Sequence, residues 1–470
     1  MNLSQPLSVY YPISLPEIKR KIEKKKVSKR NSIQLSTITD FSNIKEITNN
    51  FGETLIRVDG DIPIDLQPES GQRFLFISYH QTRFSHGIHR YPAKFFPELP
   101  RWIIKKYSNE YDNVLDPFSG SATTNIEALL LNRYTVGIDI DPFAQLLSKV
   151  KTTPLNSDEL KATIDEVLKK IVLYNPNKIN EKNIPIFPYR DNWFKKEILL
   201  ELTFIKKIID ELKTSNDIKN FLLITMSSII RSVSNADDNC TRTVIRKKLN
   251  KQVYPSMALT KFAENLLINN IYINEFTNLF PNNTYADFPN HSDARCLNYD
   301  NNTFHLAVTS PPYVNAVDYP RTHQLEMYWL GLANGSLSTH KQNHIGTEVV
   351  KVTQYKDLNL IGIPIADEKI KLIFKKDPRR AYIAYKFLFD MKKNLVETQR
   401  VLKKNGRYVI VIGNNKIRGE VFESWKYLME IANDVGFKVE NYFGSEIIKH
   451  FIKVPRGERI NTDWVIVLRK

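Results

Sequence analysis

"NVLDPFSGSATTNIEALLLNRYTVGIDIDPFAQLLSKV", Asn113 to Val150, is the stretch that decides the fold. Val114 and Leu115 read as a short buried strand, followed by a loop of small residues around Gly120. Thr124 to Leu131 carry apolar residues at helical spacing, Thr135 to Ile140 read as a second strand, and another helix follows from Pro142. Strand, loop, helix and strand in this order make a βαβ unit, which requires a parallel sheet and a right-handed crossover. The loop "DPFSGSATT" joins strand to helix with small side chains, so a ligand can approach the backbone at a helix N-terminus. It has neither the G-x-x-x-x-G-K-[ST] phosphate loop nor the G-x-G-x-x-G fingerprint. Asp139 ends the second strand, where an acidic residue accepts hydrogen bonds from ribose hydroxyls. It also stands where it would cap the helix from Pro142. Loop and acid together suggest a nucleoside without phosphates.

Outward from this unit the chain changes character twice. Upstream, "HGIHRYPAKFFPELPRWIIKKY" is rich in aromatics and prolines and leads into a helix. Residues 1–85 are mixed, and their basic run "IKRKIEKKKVSKR" reads as a solvated helix or as an arm on a phosphate backbone. Downstream, residues 154–290 show four segments of helical periodicity, beginning "SDELKATIDEVLKKIVLY", "KKEILLELTFIKKIIDELK", "IKNFLLITMSSIIRSV" and "LTKFAENLLINNIYINEF". They predict a helical insertion, interrupted by the basic stretch "SNADDNCTRTVIRKKLNKQVYP". The α/β rhythm then resumes with the strand "FHLAVTS", a long helix "AYIAYKFLFDMKKNLVETQRVLKK" closed by Asn405-Gly406, and the central strand "RYVIVIG". A helix over "ESWKYLMEIANDVGF" and an antiparallel pair, "KVENYFGSEII" with "TDWVIVLRK", complete the chain.

Bulk properties narrow the class. The 470 residues carry 67 Lys and Arg against 51 Asp and Glu, a formal net charge of +16. A polyanionic partner accounts for such an excess, because each neutralised phosphate releases counterions. A lysine-rich genome is the competing explanation. No apolar run approaches the roughly 20 residues of a membrane span, and the N-terminus has no signal-peptide pattern. The two cysteines, Cys240 and Cys296, lack metal-ligand spacing, which fits a reducing cytoplasm. His86 and His89 have no third ligand near them, so no metal site is expected.

"SPPY", Ser310 to Tyr313, follows a buried strand. Neither proline has an N–H to give, so the chain must leave the sheet in a stiff, extended form. A plain strand terminus with a packed tyrosine is the simpler alternative. "DPFSGSATT", "GIDIDP" and "SPPY", in this order and in these contexts, resemble the DNA amino-methyltransferases that use S-adenosylmethionine. "HRYPAKFFP" resembles the cofactor motif that precedes the glycine loop in one branch of that family. The likeness covers roughly residues 86–150 and 290–470. Ala122 stands where the family usually has a second glycine, and its methyl either crowds the cofactor or is harmless.

The resemblance implies a Rossmann-like methyltransferase sheet, mostly parallel with an antiparallel C-terminal hairpin strand. It implies a cofactor part at 86–153 and a catalytic part at 291–470. The insertion at 154–290, outside the likeness, is expected to recognise the target, with a helical buttress for the sheet as the alternative, and 1–85 is an extension for which DNA contact is one reading. The cofactor is S-adenosylmethionine, held by Tyr91, Lys94, Phe95, Asp116, Phe118, Gly120, Thr123, Asp139 and Asp293. Ser310, Pro311, Pro312 and Tyr313 form the catalytic motif. Hydrogen bonds from an exocyclic amine to Ser310 and to the Pro311 carbonyl localise its lone pair, and Tyr313 offers a face to a base taken out of the helix. A ring-carbon methylase would need a nucleophilic cysteine in such a loop, and neither cysteine is placed there.

A serine-type motif implies cytosine N4 in double-stranded DNA, within a restriction-modification system with a separate endonuclease. Adenine N6 in DNA, or an RNA amine, is the alternative within the class. An inactive nucleic-acid-binding protein on a cofactor fold is the alternative outside it. Arg231, Arg242, Arg246, Lys247 and Lys248 are the recognition candidates, since arginine pairs bidentately with guanine edges and lysine holds phosphate. Residues 335–380 are a second candidate DNA contact.

Overall fold

Ten strands form one mixed sheet in the computed structural model, which describes residues 14–20, 22, 43–48, 52–79, 81–314, 317–333, 336–447 and 461–470. In chain order they are β1 (Ile44–Thr48), β2 (Thr54–Asp59), β3 (Arg73–Ile77), β4 (Asn113–Asp116), β5 (Tyr134–Gly137), β6 (Ala286–Asp287), β7 (Phe304–Thr309), β8 (Leu402–Gly413) and, after the hairpin β9 (Asn415–Ile417) and β10 (Glu420–Phe422), β11 (Lys438–Glu446) and β12 (Thr462–Arg469). The spatial order is β1-β2-β3-β11-β12-β8-β7-β4-β5-β6. From β8 to β6 every neighbour is parallel. β12 runs antiparallel to both β8 and β11, as the sequence pattern predicts. The fold is a Rossmann-like α/β sheet with an antiparallel C-terminal hairpin strand.

Both faces of the central strands are covered, so they read as continuous apolar runs. On β8, Tyr408, Ile410 and Ile412 join one core, while Val409 and Val411 join another. The first core lies under helices Pro378–Val401 and Ser424–Asp434. The second lies under helix Glu98–Tyr107, with Trp102 and Ile103 buried. The long helix starts at Pro378, where Asp377 caps it by accepting from the Arg380 N–H. It ends at Val401, short of the predicted Asn405-Gly406 stop. Leu402 is already extended and begins β8, and Asn405 takes a left-handed turn (φ 64°) inside the strand.

Residues 44–77, within the N-terminal extension, join the sheet. β3 pairs in parallel with both β2 and β11, and Val58, Phe74 and Phe76 are buried beside Trp102 and Phe443. Of the basic run, residues 18–20 and 22 are described, with Ile18 and Ile22 buried; the remainder lies outside the described residues.

The insertion is helical as its periodicity predicts: Ser157–Val172, Lys196–Glu211, Asn216–Val233 and Met257–Thr277. Its apolar faces share one core with Ile126, Leu129, Phe143 and Leu147 from the βαβ unit. It therefore braces the cofactor half as a continuous layer. No helix among the described residues is long and apolar enough to cross a membrane.

Candidate active site

β4 and β7 are parallel neighbours, with Val114 opposite Leu306 and Leu115 opposite Ala307, so their C-terminal ends lie at one edge of the sheet. Ligands of open parallel sheets bind at that edge. Asp116, the last residue of β4, locks the two ends together. Its Oδ1 accepts from Thr309 Oγ1 (2.6 Å) and from the Phe118 N–H (3.1 Å). Burial pushes this carboxyl up to about 6. Asp116 thus lies beneath the cleft and shapes its floor, whereas the sequence reading put it on the ligand.

The loop after Asp116 curls around backbone donors. Gly120 adopts φ 49°, its N–H donates to Asp139 Oδ2 (2.9 Å), and an added Cβ would stand 3.2 Å from Tyr91 Cε1. Ala122 also takes a left-handed conformation (φ 61°), at a cost of about 1–2 kcal/mol for a residue with a Cβ. Its methyl is fully buried in the core with Ile126 and Phe143, not in the cleft. Its replacement of glycine therefore leaves the cleft open. Asp139 Oδ1 accepts from the Asp141 N–H (2.9 Å), and Asp141 caps the following helix by accepting from Phe143 (2.8 Å). Capping thus belongs to Asp141, and Asp139 faces the cleft. Burial, reinforced by neighbouring Asp141, pushes the Asp139 carboxyl up to about 6.

Tyr91, Lys94, Phe95, Phe118, Gly120, Thr123, Asp139, Asp293, Ser310 and Pro312 line a single cleft. Both motif loops thus open on one space. The Tyr91 ring stacks against His323 (5.0 Å) and Tyr319 (5.6 Å). The Asp293 carboxylate is taken up by Arg295, with Nη2 donating to Oδ2 at 2.7 Å. Pro311 and Tyr313 are not on the wall. Tyr313 Oη donates to Asp463 Oδ1 (2.7 Å), with the Ser310 hydroxyl close by. Burial raises the Asp463 carboxyl to about 6.

Several groups in the site carry no sequence signal of their own. Asp463 reaches it from β12, and Asn343, His344 and Ile345 line it from a segment set aside as a DNA contact. Arg295 Nη2 donates to the Asn343 carbonyl (2.9 Å), which fixes that segment. His344 Nδ1 bonds the His340 carbonyl (2.6 Å), and its Nε2 stands 3.9 Å from Asp141 Oδ2 with no hydrogen-bond partner. Ser119 Oγ, Ser121 Oγ and Asp141 Oδ2 are likewise buried without hydrogen-bond partners on the cleft wall. Such groups are costly to leave unmet. They fit a ligand carrying hydroxyls and a charged amino-acid end, which is the character of S-adenosylmethionine. No cluster of metal-ligating side chains occurs among the described residues.

The recognition candidates separate. Arg231 corrects the expectation: its guanidinium donates inward to the carbonyls of Asp237, Cys240, Thr241 and Arg242 and holds that loop. Arg242 and Lys248 are exposed, and Arg246 is exposed while pairing with Asp237 (3.3 Å). Lys247 lies in the short helix Lys247–Leu249, and its side chain is outside the described residues. The loop is tied to the site by Thr243 Oγ1 donating to the Thr322 carbonyl (2.7 Å) and by Arg90 donating to that of Asp238 (2.9 Å).

Residues 9–150 match the family model of the N6/N4 DNA methylases. That match takes in β1 to β3, which the motif reading leaves outside the resemblance. The chain is similar to the type II methyltransferase M.MvaI of Kocuria varians, 27% identical over 374 residues, covering 74% of this chain and 81% of that one. It is similar to M.BsoBI of Geobacillus stearothermophilus, 24% identical over 417 residues, covering 77% and 81%. M.MjaII of Methanocaldococcus jannaschii is 27% identical over 229 residues, covering 46% and 41%. With its motif loops meeting at one sheet edge, the chain is similar to the N6/N4 DNA methylases over residues 9–150 and to type II methyltransferases over about three quarters of its length, and its cofactor is S-adenosylmethionine.

Proposed function

We propose that this chain methylates the exocyclic N4 of cytosine in duplex DNA, acting on a base turned out of the helix, as the modification enzyme of a restriction-modification system whose endonuclease is a separate protein. The observation that carries the reading is Ser310 on the same cleft wall as Asp139 and Gly120, with the Tyr313–Asp463 pair next to it. S-adenosylmethionine supplies an electrophilic methyl on a sulfonium, so much of catalysis is positioning. Asp139 is placed to receive ribose hydroxyls, with Tyr91 and Phe118 beside it.

An exocyclic amine is a weak nucleophile because its lone pair is conjugated with the ring. Ser310 Oγ and the Pro311 carbonyl accept its two N–H bonds and favour a localised lone pair. Methylation leaves an extra proton on that nitrogen. Ser310 can take it while passing its own to Tyr313 Oη, which in turn passes one to Asp463. General-base assistance of this kind contributes roughly 10²–10⁴-fold.

Sequence is read, in this account, by Arg242, Arg246, Lys247 and Lys248 on the insertion loop, with 335–380 and the N-terminal basic run as further backbone contacts. The loop's ties to Arg90 and Thr322 keep it beside the cleft. Purified protein given S-adenosylmethionine labelled in the methyl group and unmodified duplex DNA tests the reading. Digestion to nucleosides should place the label on N4-methyl-2′-deoxycytidine. Label on N6-methyladenine would move the chain to the adenine branch. Absence of transfer, with S-adenosylmethionine still bound, would favour an inactive binding protein.

A further inference from the structure

The basic loop of residues 237–251 is fastened to the body of the protein at two points, and each lies one residue away from a stacked ring. Arg90 Nη1 donates to the Asp238 carbonyl (2.9 Å), and Arg90 precedes Tyr91. Thr243 Oγ1 donates to the Thr322 carbonyl (2.7 Å), and Thr322 precedes His323. The rings of Tyr91 and His323 stack on each other, with centroids 5.0 Å apart and planes inclined by 21°. Tyr319 stacks on Tyr91 as well (5.6 Å), and both tyrosines line the cleft.

The loop is braced to move as one body. The Asp237 N–H donates to the Val244 carbonyl (2.9 Å) and closes it. Arg231 holds the carbonyls of Asp237, Cys240, Thr241 and Arg242 from inside. Lys251 Nζ donates to the carbonyls of Arg231 (2.9 Å) and Ala236 (2.8 Å) and to Asp238 Oδ1 (2.9 Å). A displacement of the exposed Arg242 therefore reaches both Asp238 and Thr243. The stacked segment, by contrast, is loosely fixed. His323 is buried, and neither of its ring nitrogens has a hydrogen-bond partner among the described residues. Stacking on Tyr91 and on Phe143 (4.5 Å) holds the ring. Glu326 Oε2, on the next turn, is also buried without a hydrogen-bond partner. A ring held by stacking has no side-chain hydrogen bond to break when it shifts.

We propose that Thr243 and Arg90 are positioning residues that join the reading of the DNA sequence to the Tyr91–His323 stack, so that the target duplex and the cofactor bind with coupled free energies. The inference rests on the basic loop reading DNA. Whichever ligand orders the joined loop and stack first lowers the ordering cost for the second. The coupling is therefore positive, and it is reciprocal. It gives specificity a second stage, because a duplex that fails to seat Arg242 and Arg246 also fails to tighten the cofactor site. Thr243 itself is 2% exposed, so it acts through the fold and not by touching DNA.

The test is titration calorimetry of the full chain with S-adenosylhomocysteine, alone and with saturating duplex that carries either the methylated site or a scrambled sequence. Wild-type protein should bind S-adenosylhomocysteine about fivefold more tightly, or better, with the site duplex, and within about twofold of the free value with the scrambled one. Thr243→Val should abolish the enhancement while keeping wild-type affinity in the absence of DNA. Thr243→Ser, which keeps the hydroxyl, should restore it. Arg90→Met should also reduce the enhancement, and it carries the test if Thr243→Val does not fold. Variants that lower the melting temperature but keep the full enhancement would overturn the proposal and leave the two bonds a merely structural role. Equal wild-type affinity with and without the site duplex would overturn it too. If Arg242→Ala with Arg246→Ala weakens DNA binding while that wild-type enhancement is missing, the proposal alone falls. If the same pair leaves DNA affinity and site choice unchanged, the loop does not read DNA, and the proposal falls with that reading.

Discussion

At the ends of β4 and β7, polar side chains turn toward a shared space and several have no protein partner there. In the basic loop of residues 237–251, the arginine that precedes it turns inward and spends its donors on four backbone carbonyls. Both regions stand out in the sequence, one by motif and one by charge. The difference lies in what fixes a side chain's direction. At the strand ends, the parallel register and a pair of prolines set the exit of the chain, and the side chains follow. In the loop nothing local decides whether a guanidinium serves the fold or the solvent, because an arginine can satisfy either.

The largest effect expected from this contrast is at Ser310. Ser310→Ala should lower methyl transfer on the order of 10²-fold or more while leaving S-adenosylmethionine affinity unchanged. Tyr313→Ala should behave alike, since its hydroxyl lies between Ser310 and Asp463. Near-normal turnover in either would erase the division between the two loops. Next comes Asp463→Asn. A carboxylate raised to about 6 is ionised, and able to receive the Tyr313 proton, only above that pH. Wild-type turnover should therefore fall as pH drops through about 6, and the Asn variant should lose roughly tenfold in kcat together with that acid limb. An unchanged limb in the variant would assign it to another group.

Asp139→Ala should act on the other loop. Removing the acceptor leaves buried hydroxyls unmatched, about 1–3 kcal/mol, or roughly 5- to 150-fold weaker cofactor binding. Calorimetry with S-adenosylhomocysteine would show it, and unchanged affinity would take Asp139 off the ribose. The smallest effects belong to the basic loop. Arg231→Ala should cost about 1–3 kcal/mol of stability, because it strips donors from four carbonyls. Arg242→Ala with Arg246→Ala should leave the melting temperature almost unmoved. That pair should relax the choice of methylated site, or flatten the salt dependence of DNA binding by up to about 0.9 per lost phosphate contact. An unchanged site pattern at unchanged affinity would shift recognition to residues 335–380 or to the N-terminus.

Most of the sheet was legible because its strands are buried on both faces and its helices keep a regular apolar period. The βαβ unit, the four insertion helices and the antiparallel pair β11–β12 all follow from such local patterns. What escaped was tertiary. β2 and β3 look ordinary in sequence, and only their parallel pairing with each other and with β11 makes them part of the sheet. Asp463 lies 150 residues beyond Tyr313, and no local spacing links them. His344 reaches the cleft because Arg295 anchors its segment, again a contact between distant residues. Within the motifs, Asp116 was read as a ligand group because the family pattern gives position in the chain, not depth in the fold. Thr309 and Phe118 draw its carboxyl beneath the floor.

The central claim is that one cleft joins a methyl donor to an exocyclic amine presented at Ser310. Mapping modified bases in the DNA of a host that expresses the chain tests it most directly, with a second host expressing Ser310→Ala. The account predicts N4-methylcytosine at one recurring short sequence in the first host and none in the second. Equal modification in both hosts, a methyl on a ring carbon, or no modified base in either would contradict it.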